Sequence, residues 1–121
     1  MSLSNNLFVQ QMSELLALLA QAAQQKRTLT YRQLITELAL PVPAMQRLTY
    51  LLEQLTQRDW LQQQPLRSAL VVSQRPPYLP KQGWFSFLQQ LDAELTFVDS
   101  VEQAAWHQTQ LQQVYAAFSK A

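Results

Sequence analysis

Cysteine is absent, glycine and histidine occur once each, and only 14% of the 121 residues are charged. Each shortage excludes something. Without cysteine there are no disulfides, thiolate metal sites or cysteine nucleophiles. One glycine, Gly83, leaves no glycine-rich phosphate loop. The lone His107 has Asp99 and Ser100 nearby in sequence, but those two stand at a helix start, where capping accounts for them. Asp92 and Glu94, two apart, do not make a metal pair on a helix. No catalytic residue, metal or cofactor is therefore expected. No apolar run is long enough for a membrane span, and the amino terminus lacks the basic start and apolar region of a signal peptide. The expectation is a soluble cytoplasmic protein with no membrane partner.

The length suits one domain whose core needs no crosslinks. Ordinary domains carry about 25% charged residues. Here glutamine supplies the polar surface instead, alternating with leucine at helical spacing, which separates it from a disordered glutamine tract. The net charge of +1 hides an asymmetry. Between Lys26 and Lys81 there are eight basic and three acidic residues, a net of +5, while elsewhere Lys120 stands against five carboxylates, a net of −4. A basic centre of this kind presents an electropositive face to phosphate, or equally a solvated surface with no partner.

The strongest local signal is a helix-turn-helix over about 30–57. Thr30 is a helix N-cap with Gln33 in the capping-box position, and Tyr31, Leu34, Ile35 and Leu38 share the inward face. Pro41 and Pro43 disfavour helix at the residue before each, so Leu40 closes that helix, Val42 stays extended and Pro43 opens the next. On this third helix Met45, Leu48, Leu51, Leu52 and Leu55 share one side.

A core helix precedes this unit, capped by Ser4 or Asn5 and running to about Gln25, with Leu7, Phe8, Met12, Leu15, Leu18, Leu19 and Ala22 inward. After it, Trp60-Leu61 and Ala69 to Val72 are predicted as two short strands, placing a small β wing at about 60–82. Within that span Ser73 to Gln82 is irregular because of Pro76, Pro77 and Pro80, and Gly83 ends it. Trp84 to Leu91 is a short helix with Trp84, Phe87, Leu88 and Leu91 inward, and Leu95 to Val98 a brief strand or extended segment. A last helix, capped by Asp99 or Ser100, covers about 100–120 with Ala104, Leu111, Tyr115 and Phe118 buried. Trp106 falls on the far side of that helix, so either the first helix covers it or the C-terminal helix pairs with a second copy in a homodimer. The whole is a mainly α winged-helix domain spanning 1–121, with extra N- and C-terminal helices.

Candidate contact residues follow from that layout. The third helix exposes Gln46, Tyr50, Glu53 and Gln57, flanked by Arg47 and Gln54. Glutamine and arginine read adenine and guanine edges, Glu53 opposes phosphate unless it meets cytosine, and a plain solvated face has the same composition. In polyproline form the 73–82 segment would align Arg75, Tyr78 and Lys81 on one edge, which suits a phosphate backbone or an unstacked base. A stiff connector with snorkelling cations accounts for them as well. Tyr31 is a core aromatic or, through its hydroxyl, a phosphate or base contact. Adding Arg32, the candidate nucleic-acid-binding set is Tyr31, Arg32, Gln46, Arg47, Tyr50, Arg75, Tyr78 and Lys81.

At Thr30-Tyr31, at Arg47, and at Leu70-Val71-Val72 followed by Gly83 and a helix, the chain resembles the C-terminal winged-helix domain of the DNA alkyltransferases and alkyltransferase-like proteins. The likeness covers roughly Thr30 to Leu91. It implies that Tyr31 helps rotate a target nucleotide and that Arg47 fills the space it leaves. The family's Pro-Cys-His-Arg motif is absent, and anchoring on Val71-Val72 puts Ser68 where the alkyl-accepting cysteine belongs, so alkyl transfer is not expected. What the resemblance carries is a fold. The expected function is a non-enzymatic DNA-binding or regulatory module with duplex DNA as partner. The alternative is a protein-interaction or adaptor domain of the same shape, with a protein partner and no nucleic-acid role.

Overall fold

A computed structural model describes residues 3–119, with side chains from residue 6 onward. The order is α1 (Leu3–Gln24), β1 (Leu29–Thr30), α2 (Tyr31–Glu37), α3 (Ala44–Leu61), a 3₁₀ turn (Arg67–Leu70), β2 (Val71–Val72), α4 (Gln82–Leu91) and α5 (Ser100–Phe118). The protein is mainly helical, and the described residues contain one sheet, in which β1 pairs with β2 in parallel with Leu29 opposite Val71 and Thr30 opposite Val72.

Local chemistry sets the boundaries of α2 and α3. Thr30 Oγ1 accepts from Gln33 N–H while Gln33 Oε1 accepts from Thr30 N–H, a complete capping box. The helix stops at Glu37, where Leu38 caps it and Ala39 takes a left-handed φ of 51°; Leu40 N–H then donates to Ile35 O. Pro43, fixed near the φ a helix start needs, is the N-cap of α3. Leu34, Leu48, Leu51 and Leu55, from the two helices, are buried together with Leu15 and Leu19 of α1 and Leu88 of α4. α1 lies against α5, α3 and the 3₁₀ turn.

Several expectations are corrected. Helix α1 begins at Leu3, so Ser4 and Asn5 lie inside it and its cap falls outside the described residues. Leu7 is 43% exposed rather than core. Trp60-Leu61 is no strand: α3 runs through it, because Asp59 and Thr56 are buried and bonded and hold the helix to its end. The β structure of the 60–82 span is thus Val71–Val72 alone, and its partner lies before α2. The 73–82 segment is not a polyproline edge. Tyr78 has a φ of 59°, and Tyr78 N–H to Arg75 O and Ser73 N–H to Leu79 O fold the loop back on itself. Gly83 stands inside α4, and α4 buries Phe85 with Trp84 and Leu88, leaving Phe87 half-buried. No strand forms at Leu95 to Val98.

Helix α5 is capped by Asp99, whose side chain accepts from Glu102 N–H. Its buried face is His107, Leu111 and Val114, rotated from the expected stripe, and Ala104, Tyr115 and Phe118 are half-buried at its margin. That rotation brings Trp106 toward the same chain. Its ring lies 5.7 Å from Trp84 of α4 and 5.7 Å from Phe97, so part of its cover comes from α4 and the segment before α5.

Candidate nucleic-acid interface

Three grooves and the exposed face of α3 organise the expected contact residues. Met45, Thr49 and Glu53 lie on one flank of α3 and Arg47 and Leu51 on the other, with Gln46, Tyr50 and Gln57 exposed between. On the Met45 flank, a groove of about 630 Å³ brings Arg32 at the start of α2 together with Tyr31, Arg75 and Lys81. An adjoining groove of about 660 Å³ shares Thr30, Arg32 and Gln74 with the first and adds Arg27, with Glu37 on its wall. Arg27, Arg32, Arg75 and Lys81 are all exposed. The one ion pair among the described residues is Arg67 with Asp59, so none of these four cations is neutralised by a carboxylate.

Arg47 is separated from them. It lines a third groove of about 350 Å³ between α1 and α3, with Gln46, Tyr50 and the apolar Leu7 and Phe8. Tyr50 is 54% exposed and meets Phe8 edge to face with ring centres 5.7 Å apart. Tyr78 is exposed at the tip of the 73–82 loop and lines neither basic groove. Of the eight expected residues, the fold therefore gathers Tyr31, Arg32, Arg75 and Lys81 in one place and Gln46, Arg47 and Tyr50 in another. Arg27, 48 positions before Arg75 in the chain, joins the first group through the adjoining groove.

Tyr31 is 8% exposed, and its hydroxyl oxygen accepts from Lys81 N–H at 2.9 Å. Lys81 Nζ lies 5.2 Å from the centre of the same ring. Burial pushes the Tyr31 phenol above its usual range, which the bond from Lys81 N–H only partly offsets. The tyrosine thus ties the start of α4 to the start of α2.

Beneath the grooves, polar groups are matched one to one. Trp84 Nε1–H donates to Ser68 Oγ at 2.8 Å, and Thr56 Oγ1–H donates to Leu52 O at 2.7 Å. In the 2.6 Å contact between Ser68 and Thr56 the serine must therefore be the donor. Ser68 is 1% exposed and its proton is committed. His107, also buried, sets its Nε2 2.8 Å from Ala69 O rather than toward Ser68, and burial holds its pKa below the ordinary value. No buried side-chain nitrogen or oxygen among the described residues is left without a partner. Nor do the described residues hold a cluster of three metal-ligating side chains, and no helix among them is long and apolar enough to cross a membrane.

Compared with protein-family models, with curated proteins and with solved structures, the chain matches none.

Proposed function

We propose that the protein is a non-enzymatic winged-helix module that binds duplex DNA. One observation carries this reading: four exposed, unneutralised cations, Arg27, Arg32, Arg75 and Lys81, converge on adjoining grooves, the first of which reaches the start of α3 at Met45. A helix with a polar, glutamine-rich face enters a major groove, and cations to one side of it meet the phosphate backbone. In this reading the 71–82 segment takes the place of the wing, and Gln46 and Tyr50 are the residues nearest base edges. The resemblance to the alkyltransferase winged-helix domain supports the same docking. It does not extend to nucleotide rotation by Tyr31, whose ring is buried and whose hydroxyl is held by Lys81. No chemistry is assigned to Ser68, because its hydroxyl is closed between Trp84 and Thr56.

Fluorescence anisotropy with a labelled duplex, at low and moderate salt, tests this. Binding should weaken steeply with salt, and replacing Arg32, Arg75 and Lys81 together by alanine should lower the log–log salt slope by about three. Absence of binding at low salt, or a slope unmoved by the triple replacement, would overturn the proposal.

A second reading rests on a different surface. The groove between α1 and α3 exposes Leu7 and Tyr50 beside the 86% exposed Val42, an apolar strip suited to a protein partner. Arg47 belongs to that strip, so Arg47→Ala separates the readings. It should leave the salt slope within about one unit if DNA docks on the basic side, and abolish association if a protein docks on the apolar side.

A further inference from the structure

Next to the basic groove, and sharing Tyr31 and Lys81 with it, lies a smaller cavity of about 140 Å³. Its walls are aromatic, from Tyr31, Trp84 and Phe87, and two opposite charges line it, Glu53 of α3 and Lys81 at the head of α4. These charges form no ion pair with each other or with any other described residue. The Tyr31 oxygen accepts from Lys81 N–H, while its own hydrogen has no acceptor among the described residues.

The single glycine of the 121-residue chain stands on this cavity. Nothing in the backbone asks for it, since Gly83 does not have a positive φ and lies in the first turn of α4. Nothing in the packing asks for it either, because a Cβ at Gly83 would meet no atom within 4 Å. Helix propensity disfavours glycine relative to alanine. Gly83 is exposed and lines the cavity, so a long side chain placed there can reach into it.

We propose that this cavity binds a free aromatic amino acid. An apolar cavity of about 150 Å³ takes one benzene ring, so the volume here admits a single ring between Trp84 and Phe87. The two unpaired charges then meet the zwitterionic end of the same molecule, with its ammonium at Glu53 and its carboxylate at Lys81 and the Tyr31 hydroxyl. A hydrocarbon would leave both charges unanswered, and a simple amine or acid would leave one. The site shares Lys81 with the basic groove, but its test involves no DNA and leaves Lys81 in place, so the outcome is separate from that of the DNA reading.

Titration calorimetry on the full chain with L-phenylalanine as probe tests the proposal. A dissociation constant of about 1 mM or tighter is expected, with N-acetyl-L-phenylalanine and phenethylamine, which lack the ammonium and the carboxylate respectively, each weaker by about tenfold. Gly83→Leu should abolish binding while keeping or raising Tm. Glu53→Gln should weaken L-phenylalanine by about tenfold and leave 3-phenylpropanoate, which has no ammonium, unaffected. No binding of L-phenylalanine, binding of either truncated analogue as tight as that of L-phenylalanine, or unchanged binding to a folded Gly83→Leu variant would each overturn it. Should Gly83→Leu not fold, the Glu53→Gln comparison decides, and equal losses for both ligands count against the site.

Discussion

The two ends of α3 are held in opposite ways. Toward its C terminus the helix is fixed by polar groups that water does not reach: Thr56 and Asp59 are both 0% exposed, and Asp59 receives Arg67 N–H and Nε–H on one oxygen and Nη2–H on the other. Toward its N terminus the outward side chains Gln46, Arg47 and Tyr50 are exposed, and no polar bond to another element restrains them. A short helix cannot present a face to a large partner unless something else fixes its orientation. Here Arg67 supplies that fixing, and the same residue type at Arg75, eight positions later, is left unneutralised at a groove. What an arginine does in this chain is decided by whether a buried carboxylate lies within its reach.

That contrast can be broken at its strong end. Asp59→Ala leaves Arg67 half-buried without its carboxylate and the Arg67 amide without an acceptor. Removing one partner of a buried pair costs about 3–5 kcal/mol, which urea denaturation would register as a lower midpoint at an unchanged slope. A loss under about 1 kcal/mol would mean that α3 is not anchored there.

An intermediate effect is expected from acid. The buried His107 is held below its ordinary pKa of 6.5, so the folded state resists the proton that the unfolded chain takes up. Stability should be flat above pH 6.5 and decline below it, levelling only once the pH passes the lower folded pKa. The steepest slope one such site permits is about 1.4 kcal/mol per pH unit. His107→Gln should flatten that limb in pH-dependent unfolding, and an unchanged acid limb would show that other groups produce it.

At the weak end, Tyr50 is 54% exposed and meets Phe8 edge to face, so Tyr50→Ala should change stability by no more than about 0.5–1 kcal/mol. A larger loss in thermal unfolding would mean that the presented half of α3 is also structural, and the contrast would fail.

How much of this the residues announced depends on the range of the interaction responsible. The capping box at Thr30 and Gln33, the proline start of α3 and the Asp99 cap of α5 involve neighbours within four positions, and all three were legible. The end of α3 was not, because Trp60-Leu61 followed by a glutamine and proline break has a strand-like composition. Only the distant Arg67 reveals why Asp59 is helical and buried. The pairing of β2 with β1 had no local sign, since a parallel partner is not the preceding segment and no turn sequence marks it. On α5, Tyr115 and Phe118 drew the expected stripe toward themselves, while the polar His107, with an acceptor at Ala69, took the centre of the buried face. The candidate site was legible as a list of cations and not as a place. Arg27, Arg32, Arg75 and Lys81 come together through the same strand pairing.

That pairing also makes a ring. Leu29 and Val71 lie 42 positions apart, and the two-residue ladder between them closes everything from the head of α2 to the 3₁₀ turn into one loop. Bringing the ends of such a loop together costs about 3 kcal/mol of chain entropy, more than two ladder positions return by hydrogen bonding alone. The closure must therefore draw on the burial of Leu29, Leu70, Val71 and Val72, so the ring closes as the core forms and not before it. In polymer terms, new chain ends placed in the 73–81 loop leave the ring intact, whereas ends placed at Pro41–Pro43 turn it into two arms that must find each other.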